Sequence, residues 1–203
     1  MKIFDISWPI TQNSTEYKNK GTIRFEYVGD SIQESIVRIS SHTGTHVDAP
    51  AHFIKNGRTV EQIPLERLCG LARVIDCTEK ENSITENDLL KHEIQSDEII
   101  LLKTKNSDLN FEAPFTSKFV YLEASGASFL LQKGIKAVGI DYLGIEREQP
   151  NHETHITLLS KNIPIIEGLR LAHIVPGLYT CICLPLAVQG LEAAPARVIL
   201  LIH

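Results

Sequence analysis

Five compact apolar runs constrain what this chain can fold into: LARVIDC (71–77), DEIILLKT (97–104), KAVGID (136–141), IPIIEG (163–168) and ARVILLI (196–202). They lack the polar alternation of a half-exposed strand and read as strands buried on both faces. TIRFEYV (22–28) and SIVRIS (35–40) do alternate, and read as antiparallel strands. Helices are few. TENDLLKH (85–92) opens with Thr85 and has Asp88 three residues on, close to a capping box. The stretch Leu122–Lys133 puts Leu122, Gly126, Phe129 and Leu130 on one face and stops at Gly134. A third, short helix is expected over Thr154–Lys161, ended by Asn162. Sequential strands with few helices predict an α/β fold: a single domain, 1–203, with a mixed sheet and flanking helices, and not a doubly wound one. The strand order is not written in this pattern. There is no internal repeat, low-complexity tract or linker to divide the 203 residues.

Composition narrows the function classes. A hydrophobic content of 43% and a charged content of 22% are ordinary for a soluble globular protein. The net charge is −5 and no long basic run occurs, so no nucleic-acid partner is expected. No apolar run reaches the length of a membrane span, and none is expected. The start, MKIFDISWPI, lacks the apolar stretch of a secretory signal, which makes the cytoplasm the default location. Cys69, Cys77, Cys181 and Cys183 form no C-x-x-C, so neither a thiolate zinc site nor a thioredoxin-like motif is indicated. Cys181 and Cys183, two apart in LYTCICLPLAV, share one face of a strand and read as small core residues.

The chemistry concentrates in SHTGTHVDAPAHF (41–53). Three of the 8 histidines fall here, His42, His46 and His52, together with Asp48. All four positions are even, so on extended backbone their side chains leave one face. Imidazoles and a carboxylate are a ligand set for zinc, manganese or iron. A straight strand would nevertheless hold His42 and Asp48 roughly 20 Å apart, while metal–donor bonds are about 2 Å. The chain must bend between them. Gly44 permits the backbone angles of a bend, and Pro50 fixes the exit and stops ladder pairing.

HTGTHVDAPAH is similar to the H-x-G-T-H-x-D-x-P-x-H signature of the cyclase-like metal-dependent hydrolases, a family that includes bacterial kynurenine formamidase and isatin hydrolase. The likeness extends over most of the chain. FDISWPIT (4–11) resembles the family's opening strand, and GIKAVGIDYLGIE (134–146) its central strand and following loop. HITLLSKNIPIIEGL (155–169) resembles its second metal segment, and GLYTCICLPLAVQGLEAAPARVIL (177–200) its closing hairpin. The resemblance implies a swivelling β/β/α fold, a homodimer or homotetramer, and one or two divalent ions, Zn²⁺ or Mn²⁺. It implies that His42, His46 and Asp48 hold the first metal, that Asp48 bridges to a second, and that His155 and Glu167 complete the set. It implies that His52 is the catalytic acid–base. The family's formamidase branch carries a Trp in the substrate pocket shortly after the opening D-I-S. The matching position is Tyr17, not Trp8, and Lys18, Asn19 and Lys20 stand where Pro-Gly-Asp is common.

The residues themselves accord with this division. Glu167 ends an apolar run, where a carboxylate is costly to bury unless paired or metal-bound. His155 precedes the expected short helix, and His152, three residues away, is the alternative for its role. His152, His173, His92 and His203 otherwise read as surface or structural histidines. An imidazole near its ordinary pKa is the usual proton carrier, and His52 as a ligand would remove a position open to water or substrate. Tyr17 keeps an aromatic face for a small-molecule substrate. The expected reaction is hydrolysis of a linear or cyclic amide. Two other readings stand beside it: a mononuclear iron oxygenase built on His42, His46 and Asp48, and a metal- or ligand-binding relative without turnover.

Overall fold

The computed structural model describes residues 1–29 and 31–202; His203 lies outside the described residues. In chain order the strands are β1 (Lys2–Asp5), β2 (Arg24–Val28), β3 (Glu34–Arg38), β4 (His46–Asp48), β5 (Cys69–Asp76), β6 (Ser83–Ile84), β7 (Ile99–Lys103), β8 (Tyr121–Leu122), β9 (Ala137–Ile140), β10 (Ile165–Glu167), β11 (Gly177–Pro185) and β12 (Ala193–Ile202). The helices are α1 (Glu86–Leu89), α2 (Ala124–Gln132) and α3 (Glu153–Leu159), with short 3₁₀ turns between elements.

The main sheet runs β1-β12-β11-β5-β7-β9-β10-β4, and β4 pairs back onto β12, closing a seven-strand barrel with β1 as an outer ribbon. The contacts β5–β7, β7–β9 and β9–β10 are parallel and the others antiparallel, so the sheet is mixed as expected. All five apolar runs are barrel strands.

Period two explains why β7, β9 and β10 are buried on both faces, whereas β5 and β12, against expectation, bury one face and expose Leu71 and Arg197 on the other. In β7, Ile99 and Leu101 join the cluster inside the barrel, with Val47, Val74, Ile166 and Val198. Ile100 and Leu102 join a second cluster under the helices, with Leu89, Ala127, Leu130, Leu158 and Ile165. Cys181 and Cys183 are buried in the inner cluster, as their spacing implies.

Three elements differ from the sequence reading. Leu122 belongs to a two-residue strand paired with β6 rather than to α2, because its backbone serves the β6–β8 ladder. The capping box of Thr85 and Asp88 is present, but α1 is a single turn. β2 and β3 pair as expected but stand apart from the barrel, and β3 is exposed along its whole length, so alternation here does not mark a buried face. Among the described residues no helix is long and apolar enough to cross a membrane.

Candidate active site

The bend required by the histidine cluster is present on both sides of β4. Gly44 has φ +60 and turns the chain between His42 and His46. Gly168, at the end of β10, has φ +70, and a Cβ there would stand 2.4 Å from the Gly44 carbonyl oxygen. Only glycine fits this close approach of two backbones. Pro50 then opens a 3₁₀ turn, Pro50–His52, that swings His52 back over the strand.

β4 and β10 pair antiparallel with Glu167 opposite His46 and Ile165 opposite Asp48. Val47 and Ile166 point into the barrel; His46, Asp48 and Glu167 take the outer face. α3 crosses that face and brings in His155, which lies within the helix and not before it. His42, His46, Asp48, His155 and Glu167 therefore converge, and four of them are almost fully buried.

The two carboxylates are placed alike. Asp48 Oδ1 lies 3.0 Å from His42 Nδ1 and 3.5 Å from His46 Nε2, while Oδ2 lies 3.6 Å from His155 Nε2. Glu167 Oε2 lies 3.4 Å from His46 Nε2, and Oε1 3.5 Å from His155 Nε2. Each carboxylate thus turns one oxygen to each side of the cluster. The backbone N–H of Ile145 donates to Glu167 Oε1 at 2.6 Å. His46 Nδ1 lies 2.9 Å from the Gly44 carbonyl, which only accepts, so Nδ1 carries a proton and Nε2 faces inward.

Burial opposes charge on His46, His155, Asp48 and Glu167, yet their contacts win. His46 is pushed down by burial but raised to about 9 by Glu167 and Asp48. His155 is pushed down by burial but held well above its ordinary value by Asp48, Glu146 and Glu167. Burial raises Asp48, and the imidazoles of His155, His42 and His46 bring it well below the carboxylate range. Glu167 is raised by burial and by Asp48 and lowered to about 2 by His155 and His46.

A divalent ion fits this donor set. His46 Nε2 and both oxygens of Asp48 are buried without a hydrogen-bond partner, a state that costs about 1–3 kcal/mol per group unless something binds them. Ligand atoms of His46, Asp48 and Glu167 lie within 4.8 Å of one another, as do those of His42, Asp48 and His52. His52 thus stands within ligand range as well as beside the cleft. Its ring centroid is 4.4 Å from that of His42, and burial, the first cause, lowers its pKa, with His42 and His155 adding to the effect and Asp48 opposing it.

The cluster forms the floor of a cleft of about 360 Å³. Tyr17 lines it, as expected, with Phe115 edge-on at 4.9 Å; Trp8 is buried and packs against Tyr142. One residue at the site escaped the sequence reading. Glu146 is buried, with Oε2 3.1 Å from His155 Nδ1 and Oε1 2.5 Å from His152 Nδ1. His152 is exposed, as a surface histidine is expected to be, and also lines the cleft. Glu146 orients the ring that presents Nε2 to Asp48 and Glu167, as outer carboxylates do for metal-bound histidines. Its only sequence signal is its place at the end of GIDYLGIE.

Comparison with known proteins agrees with this geometry. Residues 4–147 match the Cyclase family model. Cyclase-like protein 3 of Oryza sativa subsp. japonica is 35% identical over 85% of this chain and 67% of its own length. The kynurenine formamidase of Bacillus cereus is 31% identical over 97% of this chain and 95% of its own. A solved structure of a potential metal-dependent hydrolase with cyclase activity superposes with a TM-score of 0.90 at 41% identity, covering 98% of this chain and 96% of the other. Isatin hydrolase A of Labrenzia aggregata shares the fold, with a TM-score of 0.82 at 21% identity over 98% of this chain and 93% of its own. With the family model covering well over half its length, and relatives matched almost end to end, this chain belongs to the Cyclase family.

Proposed function

We propose that the protein is a metal-dependent hydrolase of linear or cyclic amide bonds, acting on aryl formamides or isatin-like rings. One observation carries the reading. Asp48 is buried, its two oxygens have no hydrogen-bond donor, and they face separate imidazole sets. A carboxylate so placed would help to hold divalent cations with those imidazoles. His42 and His46 belong to one side of it and His155 to the other, with Glu167 spanning both. We assign one or two divalent ions, Zn²⁺ before Mn²⁺, because imidazole and carboxylate donors suit both and tetrahedral zinc sites are built from them. Such an ion lowers the pKa of bound water and polarises a carbonyl.

The chain's own residues supply the rest. His52, kept neutral by burial, takes the proton from water and returns it to the leaving nitrogen. Glu146 holds His155 in place, and Tyr17 offers an aromatic face to the substrate. The site fits the hydrolase reading better than an iron oxygenase, since His155 and Glu167 lie within the cluster and not apart from it. A swivelling β/β/α classification, a homodimer or homotetramer, a small-molecule substrate and a cytoplasmic location belong to the same proposal; light scattering tests the assembly.

The direct test is turnover of N-formylkynurenine, isatin and small cyclic amides by protein loaded with zinc or with manganese. Hydrolysis of at least one class, lost on chelation and restored by metal, is expected. No hydrolysis by either loaded form overturns the reading. His52→Ala is expected to keep the metal stoichiometry and lose about 10²–10⁴-fold in rate. Loss of an ion in that variant would make His52 a ligand instead.

A further inference from the structure

We propose that the substrate carries a carboxylate on an apolar, planar body, and that Lys18, Lys20 and Arg147 at the rim of the cleft receive it. The inference rests on the amide-hydrolase reading and names the substrate class for that site.

The first observation is charge without a partner. All three cations line the cleft, and among the described residues no carboxylate oxygen lies within 4.0 Å of any of them. The acid nearest in sequence to the lysines is Glu16, and its oxygens are already used. Thr22 N–H donates to them at 2.7 and 2.9 Å, Ile23 N–H at 3.4 Å, and the Thr22 hydroxyl donates as well. Asp48, Glu146 and Glu167 lie buried among imidazoles. Glu148 is the one free acid in the lining, against three cations. A cationic mouth on a chain of net charge −5 draws an anion to this place and no other acid satisfies it.

The second observation is backbone strain that fixes the lysines there. Lys18 and Asn19 are consecutive left-handed residues, φ 55 and 52, a conformation that a lysine keeps only when the surroundings enforce it. The surroundings do: Glu16 ties the far side of the loop, and Asn19 Oδ1 accepts from the Phe115 N–H at 2.8 Å. So folded, the loop holds Lys18 Nζ 5.2 Å and Lys20 Nζ 5.9 Å from the centre of the Tyr17 ring. Arg147 is fixed too, donating to the Phe119 carbonyl at 2.7 Å and lying 4.9 Å from the Tyr121 ring. Cations and aromatic wall are one construction. A ligand that rests on Tyr17 and Phe115 meets the ammonium groups at its edge.

The test separates binding from turnover. Calorimetry on the metal-loaded protein compares two ligands without a hydrolysable carboxamide, 4-(methylsulfonamido)benzoate and its neutral methyl-ketone counterpart 4′-(methylsulfonamido)acetophenone. The benzoate is expected to bind about tenfold tighter at low salt, with the advantage shrinking as salt is added. Lys18→Gln/Lys20→Gln/Arg147→Gln, which removes all three charges, should bring the ratio near one, and Lys18→Arg/Lys20→Arg should keep it. Equal affinities in the wild type overturn the inference. So does a preference that survives in the glutamine variant, which would place the carboxylate on the metal. A lysine-dependent preference in a protein that hydrolyses neither 4-formamidobenzoate nor 4-formamidobenzamide, nor any other amide, supports the inference and defeats the hydrolase reading.

Discussion

Two carboxylates in this barrel are equally buried and differ in everything else. Asp141, just past β9, is fully inaccessible, as is Asp48 to within 1%. Asp141 accepts from Thr104 N and Oγ1 at 2.7 Å each, from Ser107 Oγ at 2.7 Å and from Ser107 N at 3.2 Å. Ser107 Oγ in turn accepts from Leu171 N at 2.9 Å. The network is complete, and burial pushes its pKa up to about 6 against those hydrogen bonds. Asp48 has no such donors, only imidazoles. A buried acid whose lone pairs are saturated holds loops together. One whose lone pairs are left open awaits a cation.

The comparison is tested hardest by Asp48→Ala. It is expected to abolish hydrolysis and most bound metal by elemental analysis while circular dichroism and thermal unfolding still report a folded barrel. Full metal retention would erase the distinction between the two acids. Asp141→Asn should do the reverse. The amide loses the charge that strengthens the four hydrogen bonds and must turn the Thr104 hydroxyl from donor to acceptor, which costs about 1–3 kcal/mol, read as a lower denaturation midpoint at unchanged metal stoichiometry. Lost metal with intact stability would show that Asp141 serves the site after all.

The smallest effect is a pH dependence. In the metal-free protein His46 has its pKa raised from 6.5 to about 9. Its contribution to stability is therefore complete below pH 6.5 and lost as pH rises through about 9. The metal-free protein should lose on the order of a few degrees in Tm across that window, and the metal-loaded protein should not. A flat profile in the metal-free form would mean that Asp48 and Glu167 do not hold the imidazole charged.

The central barrel strands were legible because a strand buried on both faces must be apolar along its length, as β7 is up to Lys103 and β9 is throughout. Their order was not, because closure depends on β4 meeting β12, partners separated by most of the chain. The first half of the site was legible because four ligand-type residues on one parity, with Gly44 between them, have few other uses. The second half needed the resemblance: nothing in the local pattern says that α3 will lay His155 over β4. The role of Glu146, and the place of His152 and the rim lysines around the cleft, were illegible for a further reason. Glu148, Asn151 and His152, like Lys18 and Asn19, adopt left-handed backbone without glycine. Turns of that kind leave no signal in hydrophobic period or turn composition, since tertiary contacts impose them.

The pairing of raised imidazoles with open carboxylates has a consequence for how metal enters. Without an ion, Asp48 and Glu167 are balanced by protons on His46 and His155. Ion and protons compete for the same balance, so loading is an exchange and not a simple addition. Titrating metal into a weakly buffered sample acidifies it, and the acid released reports the protons displaced from His46 and His155 together with any lost from metal-bound water. For an ion as spectroscopically silent as zinc, a pH electrode becomes the probe of occupancy.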